Sequence, residues 1–235
     1  MRSLLAGLAL PLALGMGAGE ALSLPPSLPH DLLLAPSLLG SHESRPMGLD
    51  ALPRWQDVLA RIEAERPLYE RCDALEAACE AAGLGEWRAL LRRLEGAPRK
   101  EQIAAVNRFA NRWSYRSDAA NYERSDYWAT PLQFMERSGD CEDYAIMKYV
   151  SLRELGVPDA RLRLVVVQDA RRDIVHAVLA VEDEREMWIL DNLADRVLPQ
   201  EQLSHYLPYY SVNAESRWMH AAPRRAAGPA AYRAP

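Results

Sequence analysis

The sequence predicts an α+β domain, helical in its first part and built on an antiparallel sheet in its second. Two observations carry this. Between residues 55 and 155 apolar positions recur at helical spacing in four runs, and after Pro158 the pattern changes to short strands at 161–168, 173–181 and 186–191. Helices followed by consecutive short strands indicate segregated layers around one core. The 235 residues suffice for a single core of ordinary volume.

The chain opens with Met1-Arg2-Ser3, an apolar stretch from Leu4 to Ala18, and then Gly19-Glu20-Ala21. A basic start, a hydrophobic run and small residues before a cut are the parts of a secretory signal peptide. The run is shorter than the ~20 residues that span a bilayer, so residues 1–21 are expected to be removed. The mature protein would be exported, to the periplasm in a Gram-negative bacterium. Residues 22–51 hold Pro25, Pro26, Pro29 and Pro36 without periodicity and read as a poorly ordered lead-in. The folded domain is expected over 52–220, followed by a disordered Ala/Arg/Pro tail, 221–235.

In the helical part, Val58, Leu59, Ile62 and Leu68 mark a helix over 55–69 that Pro67 should disturb or end. Leu90, Leu91 and Leu94 mark a second over 87–94, with Arg88, Arg92 and Arg93 on the opposite, solvated face. Ile103, Val106, Phe109 and Ala110 mark a third over 102–113. The fourth follows Asp140 and carries Ala145, Ile146, Tyr149, Val150, Leu152 and Leu155 until Gly156 and Pro158 end it.

A net charge of -5, from 28 Lys+Arg against 33 Asp+Glu, argues against a nucleic-acid partner, since phosphate neutralisation needs a concentrated basic face. Three cysteines are too few for a disulfide scaffold, and their odd number leaves one thiol over. On an unbroken helix Cys72 and Cys79 would stand about 10 Å apart, too far to bridge. In an oxidising compartment such a pair is expected to join, with the helix broken between them; two separate thiols are the alternative.

The chemistry concentrates at Ser138-Gly139-Asp140-Cys141-Glu142-Asp143-Tyr144-Ala145. Asp140 suits the N-cap and Asp143 the third helical position of a capping box, which puts Cys141 first in the helix. A helix N-terminus favours the thiolate, whereas three adjacent acids oppose it. A bound cation would resolve the conflict. If strands 173–181 and 186–191 form a hairpin closed by 182–185, Val181 faces Glu186 and His176 falls opposite Asp191. With Cys141 nearby these make a Cys-His-Asp triad. A small buried cysteine and a surface cross-strand pair are the alternatives. His30, His42, His205 and His220 show no ligand spacing, so no zinc site is expected, and no Gly-rich phosphate loop is present.

Together with Val106-Asn107, Tyr115, Asp118, Asp126-Tyr127-Trp128-Ala129-Thr130-Pro131 and Lys148-Tyr149, the Gly139-to-Ile146 block, His176-Ala177-Val178-Leu179 and Leu190-Asp191-Asn192 resemble the bacterial transglutaminase-like cysteine peptidases. The LapG-type periplasmic proteases are members. The resemblance implies a papain-like or transglutaminase-like fold, with the nucleophile helix packed on an antiparallel sheet. It implies Cys141 as nucleophile, His176 as general base and then acid, and Asp191 as orienting carboxylate. It also implies calcium, Ca2+, held by Asp140 and Glu142, with Asp143, Asp118 and Asp126 as further candidates; oxygen ligands of this kind suit that ion. Trp128 either lines the cleft or belongs to the core.

LapG-type members cut a surface adhesin at a double-alanine site, which disperses biofilm, and a membrane-bound cyclic-di-GMP receptor sequesters them. The expectation is therefore a calcium-dependent periplasmic cysteine endopeptidase acting on an adhesin-like protein, with that receptor as a candidate regulator. An amidase or acyl transferase on cell-wall peptides using the same triad, and a non-catalytic binding module, are the alternatives.

Overall fold

The computed structural model describes residues 37–221. The expected signal peptide 1–21, the first part of the lead-in, 22–36, and the tail from 222 lie outside the described residues.

The helices are α1 (Pro53–Ala74), α2 (Leu84–Leu94), α3 (Arg99–Ala110), α4 (Asp118–Tyr122), α5 (Pro131–Arg137) and α6 (Cys141–Glu154). α1 runs through Pro67 instead of ending there. Proline removes one backbone donor, but burial continues beyond it: Tyr69 meets Trp87 edge-on at 5.0 Å between ring centroids, and Cys72 is buried. The helix stops at Ala74, a 3₁₀ turn follows at Glu76–Ala78, and Cys72 and Cys79 are joined by the expected disulfide, their Cα atoms 4.6 Å apart. On the arginine face of α2, Arg92 and Arg93 are exposed as expected, but Arg88 is mostly covered and pairs with both Asp73 and Glu154, tying α2 to α1 and α6.

α6 is the central helix, buried from Asp143 to Leu152 and packed on the sheet, α3 and α5. Gly156, at φ 77°, turns the chain out of it.

The strands are β1 (His42–Glu43), β2 (Leu162–Asp169), β3 (Ile174–Asp183), β4 (Glu186–Asp191), β5 (Ala194–Pro199), β6 (Tyr206–Val212) and β7 (Arg217–Ala221). They form one antiparallel sheet in the order β1-β7-β6-β2-β3-β4-β5. Alternation divides its faces. Leu162, Leu164, Leu179, Val181 and Leu190 join the helix-side core. Val165, Val167, Val178, Ala180 and Ile189 face a smaller cluster with Leu38, Leu203 and Tyr206. The fold is thus the expected α+β one.

Two expectations need correction. Residues 37–51 are not an unpaired lead-in: Leu38 is fully buried, and β1 pairs with β7 at the sheet edge. Ordered structure therefore begins before residue 52. His220 does not lie in an irregular segment either, whereas His205 sits in a turn as expected. His220 belongs to β7, and His205 directly precedes β6, its ring against Tyr206 at 4.5 Å.

The β3–β4 hairpin also differs from expectation. Asp183 pairs with Glu186 and Leu179 with Leu190, so a two-residue turn, with Glu184 at φ 55°, replaces the four-residue loop. Registers differing by two residues keep every side chain on its face, so His176 and Asp191 still share one. They meet diagonally, and His176 lies opposite Val167 of β2.

Candidate active site

The segment before α6 is set by α1 and α5. Thr130 caps α5, with Pro131 first in the helix and Gln133 closing a capping box. Arg61 of α1 donates to the Trp128 carbonyl (2.5 Å) and to Gln133 (2.7 Å), and Thr130 donates to Glu65 (2.6 Å). This fixes the Ala129 N–H, which donates to Asp143 Oδ1 at 2.6 Å. Asp143 Oδ2 accepts the N–H of Asp140 at 3.2 Å. A Cβ on Gly139 would collide with this carboxylate; glycine is required there by close approach. Ser138, at φ 65°, makes the sharp turn into α6, its carbonyl held by Asn121 at 3.0 Å.

Asp140 is the N-cap residue and Cys141 the first of α6, as expected. Cys141 is the free cysteine among the described residues, and its thiol donates to Glu142 Oε2 at 3.2 Å. Burial pushes this thiol up first, and the charges of Glu142 and Asp140 add to the effect. The backbone N–H of Ala177, next to His176 on β3, acts in the opposite direction by favouring the thiolate.

His176 and Asp191 are both buried, with Nε2 and Oδ1 2.9 Å apart. Nδ1 is then the ring nitrogen left for a thiol. Asp191 Oδ1 also accepts the Leu193 N–H at 2.9 Å, and Oδ2 accepts the Tyr206 hydroxyl at 2.5 Å. Burial disfavours the Asp191 carboxylate, but its bond to His176, the imidazole charge, Tyr206 and Leu193 outweigh burial and pull it down to about 2. It stays ionised and oriented.

All five expected metal-site acids gather at the amino end of α6. Ligand atoms of Asp118, Asp126 and Glu142 lie within 4.8 Å of one another, as do those of Asp118, Asp140 and Asp143. Burial and mutual repulsion raise them: Asp118 to about 6, Asp140, which faces Glu142, to about 8, and Glu142 and Asp143 in the same direction. Arg54 reaches Asp126 at 3.0 Å, while Asp118 Oδ1 and Asp140 Oδ1 are buried without a partner. Oxygen donors crowded at this cost fit a hard cation such as calcium.

Trp128 takes the core reading. It is buried edge-on to Trp55 at 5.8 Å, with its indole N–H donated to Asp126. Sequence reasoning missed Tyr206, which lies in a stretch with no strand alternation to place it. It gave Lys148 no role, although a lysine inside the apolar run Ala145-Ile146-Met147-Lys148-Tyr149-Val150 was a visible signal.

Comparison with known proteins assigns the family. A family model described as bacterial transglutaminase-like cysteine proteinase matches residues 63–226. Among solved structures the chain is similar to Legionella pneumophila LapG, with 31% identity over 66% of this chain and 86% of that one, and a TM-score of 0.56. Against the calcium-bound form of LapG the identity is 32% over 64% of this chain and 87% of that one, with a TM-score of 0.57. Against the EGTA-treated form it is 31% over 66% and 84%, with a TM-score of 0.56. No curated protein matches.

Proposed function

Because the chain belongs to the bacterial transglutaminase-like cysteine proteinases and is a cysteine peptidase, we propose that it is a calcium-dependent periplasmic endopeptidase with Cys141, His176 and Asp191 as its triad. The observation that carries this is the threefold-bonded Asp191 holding His176 by Nε2, with the free Cys141 first in α6, the helix that packs on the His176 strand.

Cys141 attacks the scissile carbonyl, forming the C–S bond as its proton passes to His176 Nδ1. Backbone N–H groups at the start of α6 receive the oxyanion, where the helix dipole favours negative charge. His176 returns the proton to the leaving amine as the C–N bond breaks. It then activates the water that hydrolyses the acyl-enzyme. Asp191 fixes the tautomer throughout. Asp140, Glu142, Asp143, Asp118 and Asp126 would hold calcium. When bound, the ion supplies positive charge that keeps these carboxylates ionised and offsets their repulsion of the thiolate. Glu142, which accepts the thiol proton's hydrogen bond, belongs to both groups and links them.

An adhesin-like surface protein cut at a double-alanine site is the proposed substrate, and a membrane-bound cyclic-di-GMP receptor the proposed regulator. The Cys72–Cys79 disulfide supports an oxidising compartment. Among the described residues no helix is long and apolar enough to cross a membrane.

The test is incubation of the purified protein with surface adhesins of its own organism, with and without a calcium chelator, beside Cys141→Ala. Cleavage should stop with the chelator and fall on the order of 10³-fold or more in Cys141→Ala. Cleavage that survives the chelator removes the metal from the reading, and cleavage that survives Cys141→Ala removes the mechanism. Inert adhesins combined with turnover of cell-wall peptides would replace the substrate.

A further inference from the structure

Lys148 lies on α6 two turns beyond Cys141. It is fully buried, and its Nζ has no hydrogen-bond partner. Its neighbours along the helix, Tyr144 to Leu152, are buried with it, so an apolar residue would serve packing at no electrostatic cost. A buried, unpaired ammonium is among the most costly groups a core can hold. Burial lowers Lys148 to about 7, while the charges of Asp191 and Asp195 hold it up.

Those two carboxylates bracket the β4–β5 turn, in which Asp191 pairs with Ala194. The turn is gripped from α3, which packs on both α6 and β5. Asn111 Nδ2 donates to the Asp191 carbonyl (3.0 Å), the Ala194 carbonyl (3.1 Å) and Asp195 Oδ1 (3.2 Å). Asn107, one helical turn earlier, donates to the carbonyls of Ala194 (2.9 Å) and Asp195 (3.0 Å). The Oδ1 atoms of both asparagines are buried without partners. Two free acceptors on α3 and a free three-hydrogen donor on α6 are a complementary set.

We propose that Asn107, Asn111 and Lys148 form a polar clamp beneath the Asp191–Asp195 turn, and that Lys148 is a positioning residue acting through Asp191 on His176. The inference rests on Asp191 being the orienting carboxylate of the triad. The asparagines fix the backbone at Asp191 and Ala194. The turn's own Leu193 N–H then fixes the carboxylate. The protonated form of Lys148 attracts the Asp191 carboxylate across the contact between α6 and β4. A buried ammonium is thereby assigned a role in site geometry rather than in packing.

The experiment uses the full chain in calcium-containing buffer and reads the rate at which iodoacetamide alkylates Cys141, by intact mass. Asn111→Ala and Lys148→Met are made in the parent and again with Asp191→Asn. Each single variant should slow alkylation roughly tenfold, the scale of losing a group that orients a reacting one. Neither should slow it further once Asp191→Asn is present, because the clamp acts through that carboxylate. Equal slowing in both backgrounds would mean general loosening and would overturn the proposal, as would parental rates in both single variants while Asp191→Asn is slow. If Asp191→Asn itself reacts at the parental rate, the triad reading fails instead. Should Lys148→Met not fold, as judged by its circular-dichroism melt, Asn111→Ala decides alone.

Discussion

The two ends of α6 hold carboxylates in opposite ways. At and just past its carboxyl end, the acids are met by arginines: Glu154 by Arg88 at 2.7 Å and Arg66 at 3.5 Å, and Asp159 by Arg153 at 2.6 Å. At the amino end five acids converge, with Arg54 on Asp126 as their one salt-bridge partner among the described residues. Chains do not lack means to neutralise buried acids, as the far end shows. Acids left crowded beside a thiol therefore fit a counter-charge supplied from outside the chain. One end is closed structure, and on the proposed reading the other is a receptacle.

The comparison breaks most visibly if the receptacle is dispensable. Asp140→Asn with Glu142→Gln should weaken calcium binding and activity about 100-fold, measured by calorimetric titration and proteolysis. Unchanged calcium affinity would mean that the amino end is only an uncompensated surface. Next in size is the structural end. Replacing Cys72 and Cys79 by serine opens a loop between residues seven apart in sequence. It should cost about 2.5 kcal/mol and about 5 to 10 °C in Tm, with calcium affinity retained.

At the amino end, Asp191 links protonation to stability. Its carboxyl is lowered from 3.8 to about 2. Its contribution, roughly 2 kcal/mol, is complete above pH 3.8 and lost as pH falls through about 2. Acid unfolding of wild type and Asp191→Asn should therefore converge at low pH, and parallel curves would count against the shift. The smallest effect belongs to Glu154→Gln, about 1 kcal/mol by denaturant titration with no change in calcium binding.

How much of this was legible depended on distance along the chain. α6, its N-cap and its cysteine follow from local signals within a dozen residues. The His176–Asp191 pairing depends on strand parity, which sequence supplies, and on register, which it supplies only through the turn. Reading Glu182-Asp183-Glu184-Arg185 as a loop displaced the register by two, since charged residues can equally extend a hairpin beyond the core. β5 and β6 contain Pro199 and Pro208 and lack clear alternation, so these two strands, and Tyr206 with them, went unread. β1 and the β4–β5 turn are held by partners far away in sequence, such as Glu43 opposite His220 and Asn111 donating to the Asp191 carbonyl. No local pattern encodes such contacts.

Gly139 has a consequence for how the site can vary. Any side chain there would enter the space of the Asp143 carboxylate, detach it from the N–H groups of Ala129 and Asp140, and so move the start of α6. Gly139, Asp140, Cys141 and Asp143 are thus not four independently adjustable letters but one indivisible character. A library that randomised position 139 would sample presence or absence of the site rather than gradations of specificity, and tuning would have to come from elsewhere around the cleft.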